Sequence, residues 1–147
     1  MAKKELFKNQ WAGKFLKSLN AFPVDRENPG PSTLKKPVNL LKEHKTIGIF
    51  PPGHRTSVEG APLKRGAATI AMLGKAPILP AAYVGPKKIH GLITGQALIK
   101  IGKPIEMDDI PKDLKRNEKV DFLTKEIERR TTQLQKELNE ISRSLKK

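Results

Sequence analysis

The sequence predicts an α/β chain in which a mixed or mostly parallel sheet is flanked by helices and followed by a long C-terminal amphipathic helix. Three observations carry that expectation. Two short apolar runs, TIGIF (46–50) and PILPAAYVG (77–85), bracket a small-residue segment of helical character (66–74), the order of a strand, a helix and a parallel strand. Val120, Ile127, Leu134 and Ile141 recur every seven positions near the C-terminus. The chain has 147 residues and is 37% hydrophobic, enough for one domain and too apolar for a wholly disordered basic tail.

In chain order, Phe7, Trp11, Phe15 and Leu19 fall four apart with Leu16 beside them, flanked by Lys3, Lys4, Lys8, Lys14 and Lys17, which predicts a helix over about 4–19. Two compatible readings stand for it: a helix packed on the core with solvated lysines, or one lying at a lipid surface. FPV (22–24) reads as a short extended piece and NPGP (28–31) as a turn. A second helix follows, capped by Ser32 or Thr33, with Leu34, Val38, Leu40 and Leu41 on its apolar side and an end near His44. Pro37 is placed to disturb it.

TIGIF, rich in β-branched residues and stopped by PPG (51–53), suits a buried strand running into a loop. GAATIAMLG (66–74) makes a helix closed by Gly74, and PILPAAYVG a second buried strand interrupted by Pro80. GLITGQALIKIGKPI (91–105) supplies one or two further strands. From Asp113 on, the heptad series is joined by a second seam of Thr124, Thr131, Leu138 and Leu145, giving a long helix that either docks on its own domain or pairs in a dimeric coiled coil.

The charge narrows the function classes. There are 29 Lys and Arg against 15 Asp and Glu, a formal charge of +14, and residues 61–104 carry seven basic groups and no acidic one. Such a surface attracts polyanions, whether nucleic acid, lipid headgroups or phosphorylated metabolites. No nucleic-acid-binding motif is present and aromatic residues make up only 5%, so no specific nucleic acid is expected. The absence of cysteine excludes disulfide and thiolate chemistry, and His44, His54 and His90 lack the spacing of a zinc site, so neither metal nor cofactor is expected. No apolar stretch approaches the roughly 20 residues of a membrane-spanning helix.

One loop gathers polar chemistry. GIFPPGHRTSVEGAPLKRGA (48–67) places His54, Arg55, Lys64 and Arg65 near glycines, where guanidinium forks and approachable backbone N–H groups suit a phosphate. It contains neither GxxxxGK[ST] nor GxGxxG, and a solvated basic loop is the competing reading.

The order of three segments adds to this. AKKELFKNQWAGKFLKSLNAFPVDR (2–26), LLKEHKTIGIFPPGHRTS (40–57) and PLKRGAATIAMLGKAPILPAAYVG (62–85) together resemble the glycerolipid acyltransferase family, over about residues 2–106. The resemblance implies a branch that moves an acyl chain from acyl-coenzyme A or acyl carrier protein to 1-acyl-glycerol-3-phosphate (lysophosphatidic acid) in phospholipid synthesis, at the cytoplasmic membrane surface. It places a phosphate-binding role on Arg26, which ends NAFPVDR where the family has GxFxxR. A second block, FPPGHR in place of FPEGTR, carries acceptor binding to Phe50, Pro51, Pro52, Gly53, His54 and Arg55. Pro80 matches a family proline set between apolar residues near the active cleft.

The departures matter as much. The family's catalytic pair is HxxxxD, whose histidine takes a proton from the acceptor hydroxyl while aspartate orients the ring. No HxxxxD occurs, so no catalytic residue is assigned. In the family the motif lies upstream of the block that begins here near Ala2, and the expectation is one N-terminally truncated acyltransferase-like domain over 1–147, inactive or impaired by itself. Its partial sheet would leave apolar faces open to self-association. Pro52 stands where the family has glutamate, His54 where it has threonine, and Asn20 where it has glycine, a poorer fit for a tight backbone. Glu59 is the acid nearest His54 in sequence, a weak basis for a replacement base. Arg26 and Arg55 either converge on one anion site or serve separate surface roles. The alternative function is a non-catalytic module binding anionic lipid or phosphate, with nucleic-acid binding weaker still.

Overall fold

A computed structural model of the chain describes residues 2–24, 31–50, 65–86 and 97–145. These fall into two compact units, Met1–Ala76 and Pro77–Lys147, each taken separately below.

In the first unit, strand β1 (Ala2–Lys3) pairs in parallel with β2 (Pro23–Val24). A single 3-10 turn (Lys4–Phe7) leads to helix α1 (Gln10–Ser18), shorter than the expected 4–19. Asn9 sets its start, because the side-chain oxygen accepts from the N–H groups of Trp11 at 3.0 Å and Ala12 at 3.2 Å. Gly13 is the buried residue of α1, and a Cβ there would sit 3.1 Å from the Phe7 carbonyl oxygen. The 3-10 turn therefore docks against α1 on its glycine side.

Helix α2 (Pro31–Lys42) continues through Pro37. The ring is fully buried, and its packing offsets the backbone hydrogen bond that proline cannot donate. Helix α3 (Gly66–Gly74) packs on α2 and buries Ala68, Ile70 and Ala71. The close approach falls at Gly74, where a Cβ would lie 2.7 Å and 2.8 Å from Leu41 Cδ1 and Cβ.

The three α-helices among the described residues of this unit end the same way. Asn20, His44 and Lys75 adopt φ of 55°, 58° and 50°, the left-handed region. Their N–H groups bond to Lys17, Leu41 and Met72, and the following residues Ala21, Lys45 and Ala76 bond back to Leu16, Leu40 and Ala71. Each is a Schellman closure with a side chain where glycine is usual. Gly74 is thus not the left-handed closing residue of α3; Lys75 is, and Gly74 is the last helical position.

In the second unit, β3 (Ala81–Val84) pairs antiparallel with β4 (Leu98–Ile101) in the register Ala81 to Ile101 and Val84 to Leu98. An antiparallel bridge between Ile78 and Ile105 extends the ladder, with reciprocal bonds of 3.0 Å and 2.8 Å. After a short 3-10 turn (Met107–Asp109), the 29-residue helix α4 (Arg116–Ser144) lies across one face of the β3–β4 pair. Ala82, Leu134 and Leu138 form the contact, with Val84 and Leu98 packed against them.

The expected mixed or mostly parallel sheet is therefore corrected. The four-residue ladder is antiparallel, and the parallel pairing is confined to two residues in the other unit. The expectation needed 46–50 to be a buried strand beside 77–85, but 46–50 is irregular, Phe50 is 80% exposed, and no ladder among the described residues includes it. The long C-terminal helix does form. Its buried side is Val120, Leu123, Ile127, Leu134 and Leu138, which adds Leu123 to the expected seams, while Ile141 and Leu145 are exposed. The seam threonines are satisfied within the helix, Thr124 donating to the Val120 carbonyl and Thr131 to that of Ile127, each at 2.7 Å.

Candidate functional site

Of the residues marked by sequence, Arg26, Pro52, Gly53, His54 and Arg55 lie outside the described residues. Asn20 and Pro80 lie inside them, one in each unit.

Asn20 sits at the head of the run NAFPVDR. Asparagine is among the few residues that tolerate left-handed backbone, because its short side chain avoids much of the clash that a branched one meets. The glycine position is thus filled by the next most suitable type, and the tight turn survives. After the turn Phe22 is buried, with the Lys36 ammonium 5.0 Å from its ring centroid. Pro23 and Val24 are then held by pairing with Ala2 and Lys3. The backbone entering Asp25 and Arg26 is anchored on one side by a helix cap, a buried aromatic ring and a strand pairing. Lys36 was not singled out by sequence; only the basic character of its helix signalled it.

Pro80 is buried, and its carbonyl accepts from Gly102 N–H at 2.9 Å. A Cβ at Gly102 would lie 2.9 Å from Leu134 Cδ1 and 3.3 Å from Pro80 Cγ, so the glycine lets the end of β4 lie against both. These residues line an open cleft of about 520 Å³, with Lys100, Lys103, Arg129 and Arg130 around it. Three of these four cations are already engaged. Lys100 pairs with Glu137 at 2.6 Å, and Arg129 and Arg130 share Glu126 at 2.8 Å and 2.6 Å. Arg130 also donates to the Pro104 carbonyl at 3.0 Å, tying α4 to the chain after β4. Hydrogen bonds from Arg129 and then Arg130 hold the Glu126 carboxyl down to about 2 from its ordinary 4.5. Lys100, with help from Gln133, likewise lowers Glu137. With Lys100, Arg129 and Arg130 committed to carboxylates, the cleft is first of all a packing seam around Pro80.

Among the described residues, no helix is long and apolar enough to cross a membrane. Helix α1 instead presents Trp11, Phe15 and Leu19 to solvent, at 84%, 64% and 61% exposure.

Comparison with known proteins supplies the class: the Acyltransferase family model matches residues 1–84, and the chain belongs to that family. Within it, the chain is a 1-acyl-glycerol-3-phosphate acyltransferase-like member. It is 50% identical over 142 residues to the 1-acyl-sn-glycerol-3-phosphate acyltransferase of Bacillus subtilis (strain 168), covering 96% of this chain and 70% of that protein. The 1-acyl-sn-glycerol-3-phosphate acyltransferase of Streptococcus pneumoniae is 43% identical over 114 residues, 76% of this chain and 42% of that one. The crystal structure of the 1-acyl-sn-glycerophosphate (LPA) acyltransferase PlsC from Thermotoga maritima superposes with a TM-score of 0.60 at 24% identity. That superposition covers 90% of this chain and 55% of the other, and it speaks for the fold.

Proposed function

We propose that this chain carries the acceptor-binding part of an acyl transfer from acyl-coenzyme A or acyl carrier protein to 1-acyl-glycerol-3-phosphate, at the cytoplasmic membrane surface. The observation that carries the reading is 50% identity along 142 residues to a protein of that name, with the family's three blocks in order. In this reading Arg26 and Arg55 bind the acceptor phosphate, each as a bidentate guanidinium. Asn20 closes the turn that precedes Arg26 in the sequence, Pro52, Gly53 and His54 contribute with Arg55 to acceptor binding, and Pro80 lies between apolar residues near the active cleft. The 147 residues act as one acyltransferase-like domain in function.

The chain alone does not turn over substrate, since none of His44, His54 and His90 is followed five positions later by aspartate and no base is held against the acceptor hydroxyl. Calorimetric titration of the purified chain with lysophosphatidic acid tests the binding half. Charge-assisted hydrogen bonds are worth about 1.5–3 kcal/mol each, so Arg26→Ala and Arg55→Ala should each weaken binding by roughly tenfold or more. Wild-type affinity in both variants would overturn the assignment. Labelled acyl donor and lysophosphatidic acid test the other half: transfer above background that disappears in Arg26→Ala would show that the chain has a catalytic base of its own.

A further inference from the structure

In sequence, Arg26 lies between strand β2 and helix α2, and both of these flanks are anchored. Ahead of it, Asn20 turns the chain with φ of 55°, Phe22 is buried at 8% exposure, and Pro23 and Val24 pair with Ala2 and Lys3. Behind it, α2 buries the Pro37 ring and packs on α3, with Leu41 against Gly74. Lys36 connects the two flanks. It belongs to α2, and its ammonium stands 5.0 Å from the centroid of the Phe22 ring.

The local sequence explains why the ring takes this ammonium. A lysine on a helix finds carboxylate partners three or four positions away. For Lys36 those positions are Ser32, Thr33, Asn39 and Leu40, none of them acidic. The first acid beyond them, Glu43, pairs with Lys45 at 2.7 Å. An ammonium within about 6 Å of an aromatic face is attracted by the ring's negative face, and Lys36 is exposed, so it keeps water on its other side and gives up little hydration for the contact. Holding residue 22 against residue 36 limits where the chain between them can go. A guanidinium grips phosphate through two parallel bonds only when its backbone arrives in the right place, and a chain already restricted at both ends loses less entropy on binding.

We propose that Lys36, through its cation–π contact with Phe22, is a positioning residue for binding of the acceptor phosphate by Arg26. This rests on the phosphate-binding reading of Arg26 given above and goes beyond it, since Lys36 falls between the blocks NAFPVDR and FPPGHR and belongs to neither. Its effect passes through the Phe22 ring to the backbone that leads to Arg26. It therefore depends on the positive charge, on the ring and on the arginine together.

The test is calorimetric titration of the full chain with a short-chain lysophosphatidic acid and with the monoacylglycerol of the same chain, which lacks the phosphate. Lys36→Met keeps the length of the side chain and removes its charge, and it should weaken lysophosphatidic acid binding by roughly three- to tenfold while leaving monoacylglycerol binding and the helical circular dichroism unchanged. Lys36→Arg should restore the affinity, because a guanidinium also stacks on an aromatic face. In an Arg26→Ala background, and again in a Phe22→Leu background, Lys36→Met should have no further effect. Should Phe22→Leu fail to fold, the Arg26→Ala background carries the same test. Wild-type affinity in Lys36→Met beside a loss in Arg26→Ala overturns the positioning role and leaves the reading of Arg26 standing. Unchanged affinity in Arg26→Ala overturns that reading and the positioning role with it. A Lys36→Met loss that persists in either background also overturns the proposal, by showing that the ammonium meets the phosphate directly, and a loss shared equally by monoacylglycerol overturns it as a general loosening of the unit.

Discussion

Gly74 and Lys75 are adjacent, and the structure assigns them opposite faults. Placing a methyl group on Gly74 puts a Cβ 2.7 Å from Leu41 Cδ1, 2.8 Å from its Cβ and 3.3 Å from its Cγ. Ordinary carbon contacts begin near 3.5 Å, so the overlap approaches 1 Å. A rotamer change can move Cδ1 away, but Leu41 Cβ is fixed to the α2 backbone, and relief requires α2 and α3 to separate. Overpacking of this kind costs about 1–3 kcal/mol, and alanine's better helix propensity offsets at most about 1 kcal/mol of it. Gly74→Ala should therefore destabilise by about 1–2 kcal/mol. Lys75→Gly should do the reverse, because relief of the left-handed lysine, worth about 1–2 kcal/mol, exceeds the added freedom of glycine in the unfolded chain. A net gain of about 0.5–1 kcal/mol is expected. Urea unfolding followed by circular dichroism at 222 nm reads both: with a slope of about 1.5 kcal/mol/M, the midpoint falls by about 1 M in the first variant and rises by about 0.5 M in the second. If Gly74→Ala is neutral and Lys75→Gly lowers the midpoint, then Gly74 is the cap and the helix contact is not where it is placed here.

Asn20→Val should cost about 1–2 kcal/mol by the same urea assay while Asn20→Gly is neutral or slightly stabilising, because φ of 55° excludes a β-branched side chain. Leu123→Ala should cost about 2–5 kcal/mol and Ile141→Ala less than about 1 kcal/mol, since the first is 0% exposed and the second 41%, which equal losses in denaturant would contradict. The Glu126 carboxyl titrates lower in the folded chain, about 2 against 4.5, so its stabilising contribution is complete above pH 4.5 and lost as pH falls towards 2. After allowance for solvent screening that contribution is about 1 kcal/mol, and Glu126→Gln should remove it at pH 7 and flatten acid unfolding across this window; an unchanged acid limb would refute the pairing.

The legible parts of the fold were those set by local pattern. Helix α3 and the start of α4 lie close to where apolar spacing and turn residues put them, α2 begins ahead of its expected Ser32 or Thr33 cap, and α1 starts about six residues later than its pattern suggests. Sheet pairing was not legible in the same way, because TIGIF reads identically whether or not a neighbour is present, and an apolar run becomes a strand only when another backbone bonds to it. The glycines divided along the same line. Gly74 looked like a helix stop since glycine commonly is one, but only the distance to Leu41 reveals a packing role. Leu123 escaped the heptad reading because burial of α4 follows the sheet beneath it and not a symmetric partner helix. Pro37 looked disruptive because the cost of proline is local and visible in sequence, while the packing that offsets it is not. For the site, the family blocks named Arg26 and Arg55, and the structure contributes the Asn20 turn and the anchored strand that lead into the first of them.

The charge of the chain divides by function in a way that the total conceals. Residues 105–147 hold 11 basic and 10 acidic groups, and several of these acids are spent on geometry: Glu126 clasps Arg129 and Arg130, and Glu137 holds Lys100. Fields from such pairs fade quickly with distance, since each cation faces its own anion. Residues 1–104 carry 18 basic groups against 5 acidic ones, so nearly all of the +14 resides there, together with the exposed face of α1 and both arginines matched to the family's phosphate blocks. Binding of an anionic acceptor and stability towards acid should consequently separate by mutation. Glu126→Gln alters the acid limb without changing lysophosphatidic acid binding, and Arg26→Ala alters binding without changing the acid limb. A chain whose charge served only solubility would show neither selectivity.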